Sequence, residues 1–131
     1  MTEEKVPGEL RYTKSHEWVK VEGNRATVGI TDHAQAQLTD IVFVDLPAPG
    51  KAVTKGVSVL VLESVKTVAD VYAPGDGTVA EANGELKPHP ELVNQDPYGK
   101  GWLYRITLSA PIAEGELLSA EQYRALVASG K

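Results

Sequence analysis

The sequence predicts a mostly β fold in a single domain, and three observations carry that reading. Short apolar runs rich in β-branched residues recur along the chain, as at 26–30, 57–62 and 102–108, and clusters of Gly, Pro, Asn and Asp separate them. The 131 residues are the size of one domain, able to bury roughly two thirds of the surface that the unfolded chain exposes. Only the C-terminal segment carries a full set of helix signals.

Residues 1–9 carry charge, Pro7 and Gly8 but no periodic apolar pattern, and are expected to form a loosely ordered lead-in to a domain spanning 1–131. Trp18-Val19-Lys20-Val21, Glu22-Gly23-Asn24 and Ala26-Thr27-Val28-Gly29-Ile30 read as a hairpin, in which glycine and asparagine supply the positive φ of a tight turn. Thr31 or Asp32 can cap a short helix over His33–Leu38, with Gln35 placed to complete a capping box with Asp32. Ile41–Leu46 forms the next strand, and Pro47-Ala48-Pro49-Gly50 stops it, because proline cannot donate to a ladder.

Val57–Leu62 is almost wholly apolar and β-branched, as a strand buried on both faces should be. After Lys66 the apolar character resumes with Val68, Val71 and Tyr72. Gly56 lies ten residues before Lys66 and Gly77 eleven after it, which puts the lysine at the tip of an up-and-back pair of strands. Ala73–Gly77 is a turn, Thr78–Gly84 a short strand ending in another turn, and Lys87-Pro88-His89-Pro90 opens a brief helical or looping segment through Val93, closed by Pro97-Tyr98-Gly99. Trp102–Leu108 alternates as the last long strand. Ser119 and Gln122 form a capping box, Tyr123, Leu126 and Val127 mark one helical face, and Gly130 ends a helix over 119–130. The segments Gly56-Val57-Ser58-Val59 and Gly77-Thr78-Val79-Ala80 point to an approximate twofold relation between the two sides of Lys66.

Charge narrows the function. With 18 acidic against 13 basic residues the formal charge is −5 and the pI about 5.2, which opposes binding to nucleic acid or to an anionic membrane surface. No cysteine is present, so any sulfur redox chemistry must arrive on a cofactor. The N-terminus, Met1-Thr2-Glu3-Glu4-Lys5, has neither a secretory apolar core nor the arginine-rich character of a transit peptide, and the expectation is a cytoplasmic protein, or a mitochondrial matrix protein if this is a processed form. No apolar run approaches the ~20 residues needed to span a bilayer. His16, His33 and His89 are spaced like no helical metal motif, and no metal is expected. No nucleophile elbow, Walker loop or dinucleotide fingerprint occurs, and no catalytic residue is assigned: the expectation is a non-catalytic protein. Trp18 and Trp102 read as core or sheet residues, and Asn94–Gly101 fits either a partner-contact loop or an obligate turn.

Lys66, displayed on a rigid turn, is an addressable amine, and its surroundings, Glu63-Ser64-Val65-Lys66, are its most informative context. With Ser15-His16-Glu17-Trp18-Val19, Gly29-Ile30-Thr31-Asp32-His33-Ala34-Gln35, Val44-Asp45-Leu46-Pro47 and Asn94-Gln95-Asp96-Pro97-Tyr98-Gly99-Lys100-Gly101-Trp102, the chain resembles the H proteins of the glycine cleavage system over roughly residues 10–127. That resemblance implies a flattened β-barrel or two-sheet sandwich, the hybrid fold of lipoyl and biotinyl domains. It implies lipoate in amide linkage on Lys66, attached by ATP-dependent lipoylating enzymes, because a free lysine of pKa roughly 10.4 is protonated and unreactive. Glu63 reads either as a charge at a strand end or as part of the surface met by the lipoylating enzyme, and Ser64 and Val65 as shaping the turn; the resemblance implies that Ser15, Glu17 and Asp70 line a cleft into which the arm folds. The implied partners are a pyridoxal-phosphate glycine decarboxylase, a tetrahydrofolate-dependent aminomethyltransferase and dihydrolipoamide dehydrogenase. The implied role is carriage of an aminomethyl group and of electrons among them. Two departures stand out: Gln37 replaces a histidine of some relatives, and Thr67 an alanine that commonly follows the lysine. A lipoyl or biotinyl module of another complex is the alternative, opposed by Glu63-Ser64-Val65, and so is a protein that relays lipoate to other complexes.

Overall fold

The computed structural model describes residues 5–113 and 115–130. In chain order its elements are β1 (Arg11–Tyr12), β2 (Glu17–Glu22), β3 (Arg25–Ile30), α1 (Asp32–Leu38), β4 (Ile41–Asp45), β5 (Ala52–Val53), β6 (Ser58–Ser64), β7 (Val68–Tyr72), β8 (Gly77–Ala82), α2 (Leu92–Gln95), β9 (Tyr104–Leu108) and α3 (Ala120–Ala128). The strands form a six-stranded sheet in the order β1-β2-β3-β9-β8-β5 and a three-stranded sheet in the order β4-β6-β7. Among the described residues the two sheets do not close into a barrel. They form the sandwich alternative of the expected hybrid.

The main core lies between the sheets. Val28, Val79 and Ile106 from the larger sheet meet Val44, Leu62 and Val71 from the smaller one, all essentially removed from water. Side chains of a strand point alternately to its two faces, so each strand of the smaller sheet contributes only its inward set to this core. A second cluster, Leu10, Tyr12, Trp18, Ala120 and Tyr123, lies on the other side of the larger sheet beneath α3. There the Tyr12 and Tyr123 rings stack at 4.8 Å. Helix α3 opens with both halves of the capping box between Ser119 and Gln122.

Several expectations need correction. Val57–Leu62 is not buried on both faces: Val57 is 55% exposed, and β6 buries Val59, Leu60 and Leu62 while Glu63 faces solvent. The consecutive burial of Val59 and Leu60 comes with a register shift against β7, where a bulge turns two neighbours inward. In the β2–β3 turn only Gly23 takes positive φ, at 63°; Asn24 does not. Gly77 does not close the lysine hairpin but begins β8 in the other sheet, where an added Cβ would lie 2.3 Å from the Thr107 carbonyl oxygen. Helix α1 is capped by Thr31, which accepts from the Ala34 amide, and Gln35 donates to the Asp32 side chain rather than completing a capping box with it. The two-residue strands β1 and β5 carry no readable period.

Residues 1–4 of the expected lead-in lie outside the described residues. Within 5–9, the Lys5 amide donates to Asp32 at 2.9 Å, and the Val6 and Pro7 carbonyls accept from Arg124 and Tyr12. Two of these three partners, Asp32 and Arg124, are distant in sequence. No helix among the described residues is long and apolar enough to cross a membrane.

The buried tyrosines make stability sensitive to alkali. Burial raises the Tyr104 phenol well above its ordinary value, and the charge of Glu17 adds to the shift. A group whose folded pKa is raised stabilises fully below its unfolded value, and that stability is lost as pH rises toward the folded one. Unfolding free energy should therefore hold until about pH 10 and then fall by about 1.4 kcal/mol per pH unit for Tyr104 alone. Urea unfolding at pH 9, 10 and 11, with Tyr104→Phe as the control that flattens part of the slope, checks this.

Candidate functional site

Strands β6 and β7 are antiparallel, and Glu63 opposite Val68 is their last paired rung before the tip. Ser64 builds the turn almost alone. Its amide donates to the Thr67 carbonyl at 2.8 Å, and its hydroxyl donates to the same carbonyl while accepting the amides of Lys66 at 3.2 Å and Thr67 at 2.9 Å. A serine in this position satisfies the backbone groups that a tight turn leaves free, which is why it precedes the lysine by two residues. Val65, with its side chain exposed, sends its amide to the Asp40 carbonyl at 3.0 Å and so ties the tip to the start of β4. Lys66 is exposed, and its Nζ lies 3.5 Å from the Gln37 carbonyl, at the limit of a hydrogen bond. The ammonium thus leans toward the last turn of α1, where carbonyls lack intrahelical partners.

Beneath the tip lies a cleft of about 180 Å³ between α1, β2 and the hairpin. It brings together Ser15, Glu17 and Asp70, the residues expected to line the arm's resting place, and adds His33, Gln37 and Leu62. Glu63 and Val65 lie apart from it. Glu63 faces outward between Phe43 and Val68, its rung partners on β4 and β7, in a patch of exposed apolar side chains. A larger cavity of about 460 Å³ shares Ser15 and Glu17 but is lined on its far side by Lys55, Pro74 and Glu116, away from the tip. Ser15 and Glu17 are the wall between the two.

Glu17 is 1% exposed, and its carboxylate accepts from three donors. Its Oε1 accepts from the Thr13 hydroxyl and, at 2.6 Å, from the Ser15 hydroxyl; its Oε2 accepts the Tyr72 amide at 3.2 Å. The carboxylate therefore joins the β1–β2 turn to the end of β7 across the two sheets. Asp70 is the more open acid of the cleft: it is exposed, and one oxygen accepts from Ser58 at 2.8 Å. Glu17 thus enters the cleft with its oxygens already serving three donors, whereas Asp70 keeps more of its acceptor capacity open to solvent.

Sequence reasoning passed over four residues here. Thr13 was legible in principle, since Thr13, Ser15 and Glu17 alternate as polar side chains able to bond one another. His33 brings its ring to 4.9 Å from that of His16, and only the fold makes them neighbours. Asp40 acts through its carbonyl and Asn94 through partners far along the chain, so neither carries a local signal.

A rigid sandwich that presents an amine on a tight turn, beside a cleft mixing apolar and polar walls, has the architecture of a carrier domain for a group tethered to a lysine. Comparison with known proteins agrees in detail. The family model described as glycine cleavage H-protein matches residues 10–130. A glycine cleavage system H protein of Staphylococcus haemolyticus is 50% identical over 122 residues, covering 93% of this chain and 97% of its own. A probable glycine cleavage system H protein of Thermoplasma volcanium is 53% identical over 122 residues, with the same coverage. The crystal structure of a glycine cleavage system H protein from Mycobacterium marinum superposes with a TM-score of 0.86 at 39% identity, covering 94% of this chain and 99% of that one. The chain belongs to the glycine cleavage H-protein family.

Proposed function

We propose that this protein is the lipoyl-bearing shuttle of a glycine cleavage system, with lipoate joined in amide linkage to Lys66. It carries an aminomethyl group from glycine decarboxylase to the aminomethyltransferase, passes electrons to dihydrolipoamide dehydrogenase, and itself catalyses nothing. The names of its relatives support the system, and one observation supports the residue: Lys66 is exposed on a turn that Ser64 holds in place, its amine 3.5 Å from the carbonyl of Gln37, a residue that lines the cleft.

The residues present fit such a group. The Lys66 amine is reachable from solvent, and its hydrogen bond to the Gln37 carbonyl, at 3.5 Å, costs little to give up. The cleft offers Leu62, Ala34 and Leu38 to an aliphatic arm and Ser15 and Asp70 to a polar terminus. When bound, lipoate supplies a disulfide that can take up a transferred group together with two electrons, chemistry that a chain without cysteine cannot provide. The chain's own part is mechanical. Tethering through a rigid tip turns each encounter with a partner's active site into a local event at high effective concentration, and the cleft gives the arm a place shielded from water between encounters. The exposed apolar patch around Glu63 is the surface we assign to the lipoylating enzyme.

Intact mass before and after incubation with a lipoylating enzyme, ATP and lipoate tests the modification. Glycine decarboxylation with the other components, with and without this protein, tests the pathway: decarboxylation that proceeds equally without it would leave lipoate relay as the reading.

A further inference from the structure

Thr39, between α1 and β4, has φ 65° and ψ −152°. That region is all but restricted to glycine, and a β-branched residue holds it only when its surroundings impose it. The imposing group is Asn94, on α2. Its Nδ2 donates to the Thr39 carbonyl at 2.7 Å and to Gln35 Oε1 at 3.0 Å, and its Oδ1 accepts the Ile41 amide at 2.9 Å. One amide therefore grips the chain on both sides of Asp40. The Asp40 carbonyl, held in that grip, accepts the Val65 amide next to Lys66, and the Gln37 carbonyl approached by Lys66 Nζ lies two residues before the strained position.

We infer that Asn94 is a positioning residue for the lysine tip: it fixes the 39–41 loop in a conformation the backbone would otherwise leave, and through the Asp40–Val65 hydrogen bond fixes where Lys66 stands relative to the mouth of the cleft. The inference rests on the reading of Lys66 as the lipoyl site, but its mechanical half stands apart from it. Releasing the loop lets the tip sample other placements, so a lipoylating enzyme meets the competent placement only part of the time. An apparent affinity falls by the fraction competent, whereas the rate once bound does not change. The signature is a raised KM for lipoylation at an unchanged kcat.

The test is Asn94→Ala on the full chain, read in two ways. Amide hydrogen exchange by NMR on the unmodified protein should show the Val65 amide exchanging about tenfold faster or more, because local opening no longer has to break the grip. The Tyr12 and Leu103 amides, bonded to Leu118 and Val28 far from the tip, should keep their protection. Lipoylation should then show KM raised by a similar factor with kcat held. Asn94→Asp keeps the acceptor for Ile41 but sets an oxygen against the Thr39 carbonyl, so it should release the loop on that side and produce a shift of the same kind, and it serves if the alanine variant does not fold. Unchanged Val65 exchange overturns the proposal. So does uniformly faster exchange at all three amides, which would make Asn94 a general stability residue, and so does faster Val65 exchange with KM unmoved. If wild-type Lys66 accepts no lipoate, the reading of the site fails, while the exchange data still decide whether Asn94 sets the tip.

Discussion

Lys66→Arg should abolish both the lipoyl mass increment and all carrier activity while leaving the fold intact. Arginine keeps the positive charge and much of the length, but its guanidinium is not an acylable amine under these conditions. The side chain is exposed, and its hydrogen bond to the Gln37 carbonyl is at the limit of such a bond, so the change in stability should stay below about half a kcal/mol. The turn depends on Ser64 and on the Lys66 backbone amide, neither of which the substitution touches. Intact mass after enzymatic lipoylation, together with glycine decarboxylation in the reconstituted system, reads the two effects separately. Lipoate found on another lysine of the variant would overturn the assignment. A normal mass increment on the wild type without decarboxylation would keep the site and move the function to another lipoyl pathway.

The second large effect is expected at Glu17. Replacing it with alanine removes the acceptor of the Thr13 and Ser15 hydroxyls and of the Tyr72 amide. Hydroxyls can rotate toward other acceptors, but the Tyr72 amide is fixed by the backbone of β7 and would lose its carboxylate partner. A partly buried donor that loses its partner costs toward the low end of about 1–3 kcal/mol, and the charge-assisted bonds lost with it raise the expected total to about 3 kcal/mol. For a chain of this size that is a fall in Tm of about 10 °C. Glu17→Gln should be milder, about 1 kcal/mol, because the amide oxygen can still accept from Tyr72 while its NH2 group turns to the hydroxyls. Thermal unfolding of the two variants gives the comparison. If alanine costs no more than glutamine, the carboxylate is not what joins the β1–β2 turn to β7. In lipoylated protein charged with an aminomethyl group, Asp70 rather than Glu17 is then the acid to vary in search of protection, since it lines the cleft, is exposed, and among the described residues its side chain accepts from Ser58.

The apolar patch around Glu63 shows how one rule of patterning can mislead. A run such as Val57–Leu62 reads as a doubly buried strand because apolar residues usually lie inside. Here the smaller sheet covers the core with one face only, and exposed Val57, Val65 and Val68 remain on or beside the hairpin that carries Lys66.

The sequence by itself determined what is settled between neighbours. The serine-built turn, the α3 capping box, the turn glycine at 23 and the placement of Lys66 at a strand reversal all rest on contacts within a few residues, so a string of residues already contains both partners. Family likeness, carried by local segments, could be read for the same reason. The tertiary structure alone decided the cleft: Glu17 meets Tyr72 across 55 positions, and Asn94 meets Thr39 across 55 as well. It also decided that Gly77 serves the close approach of β9 and not the lysine hairpin. Which distant segments come together follows from how two twisted sheets pack their apolar faces, a property of the whole chain's burial and not of any window in it.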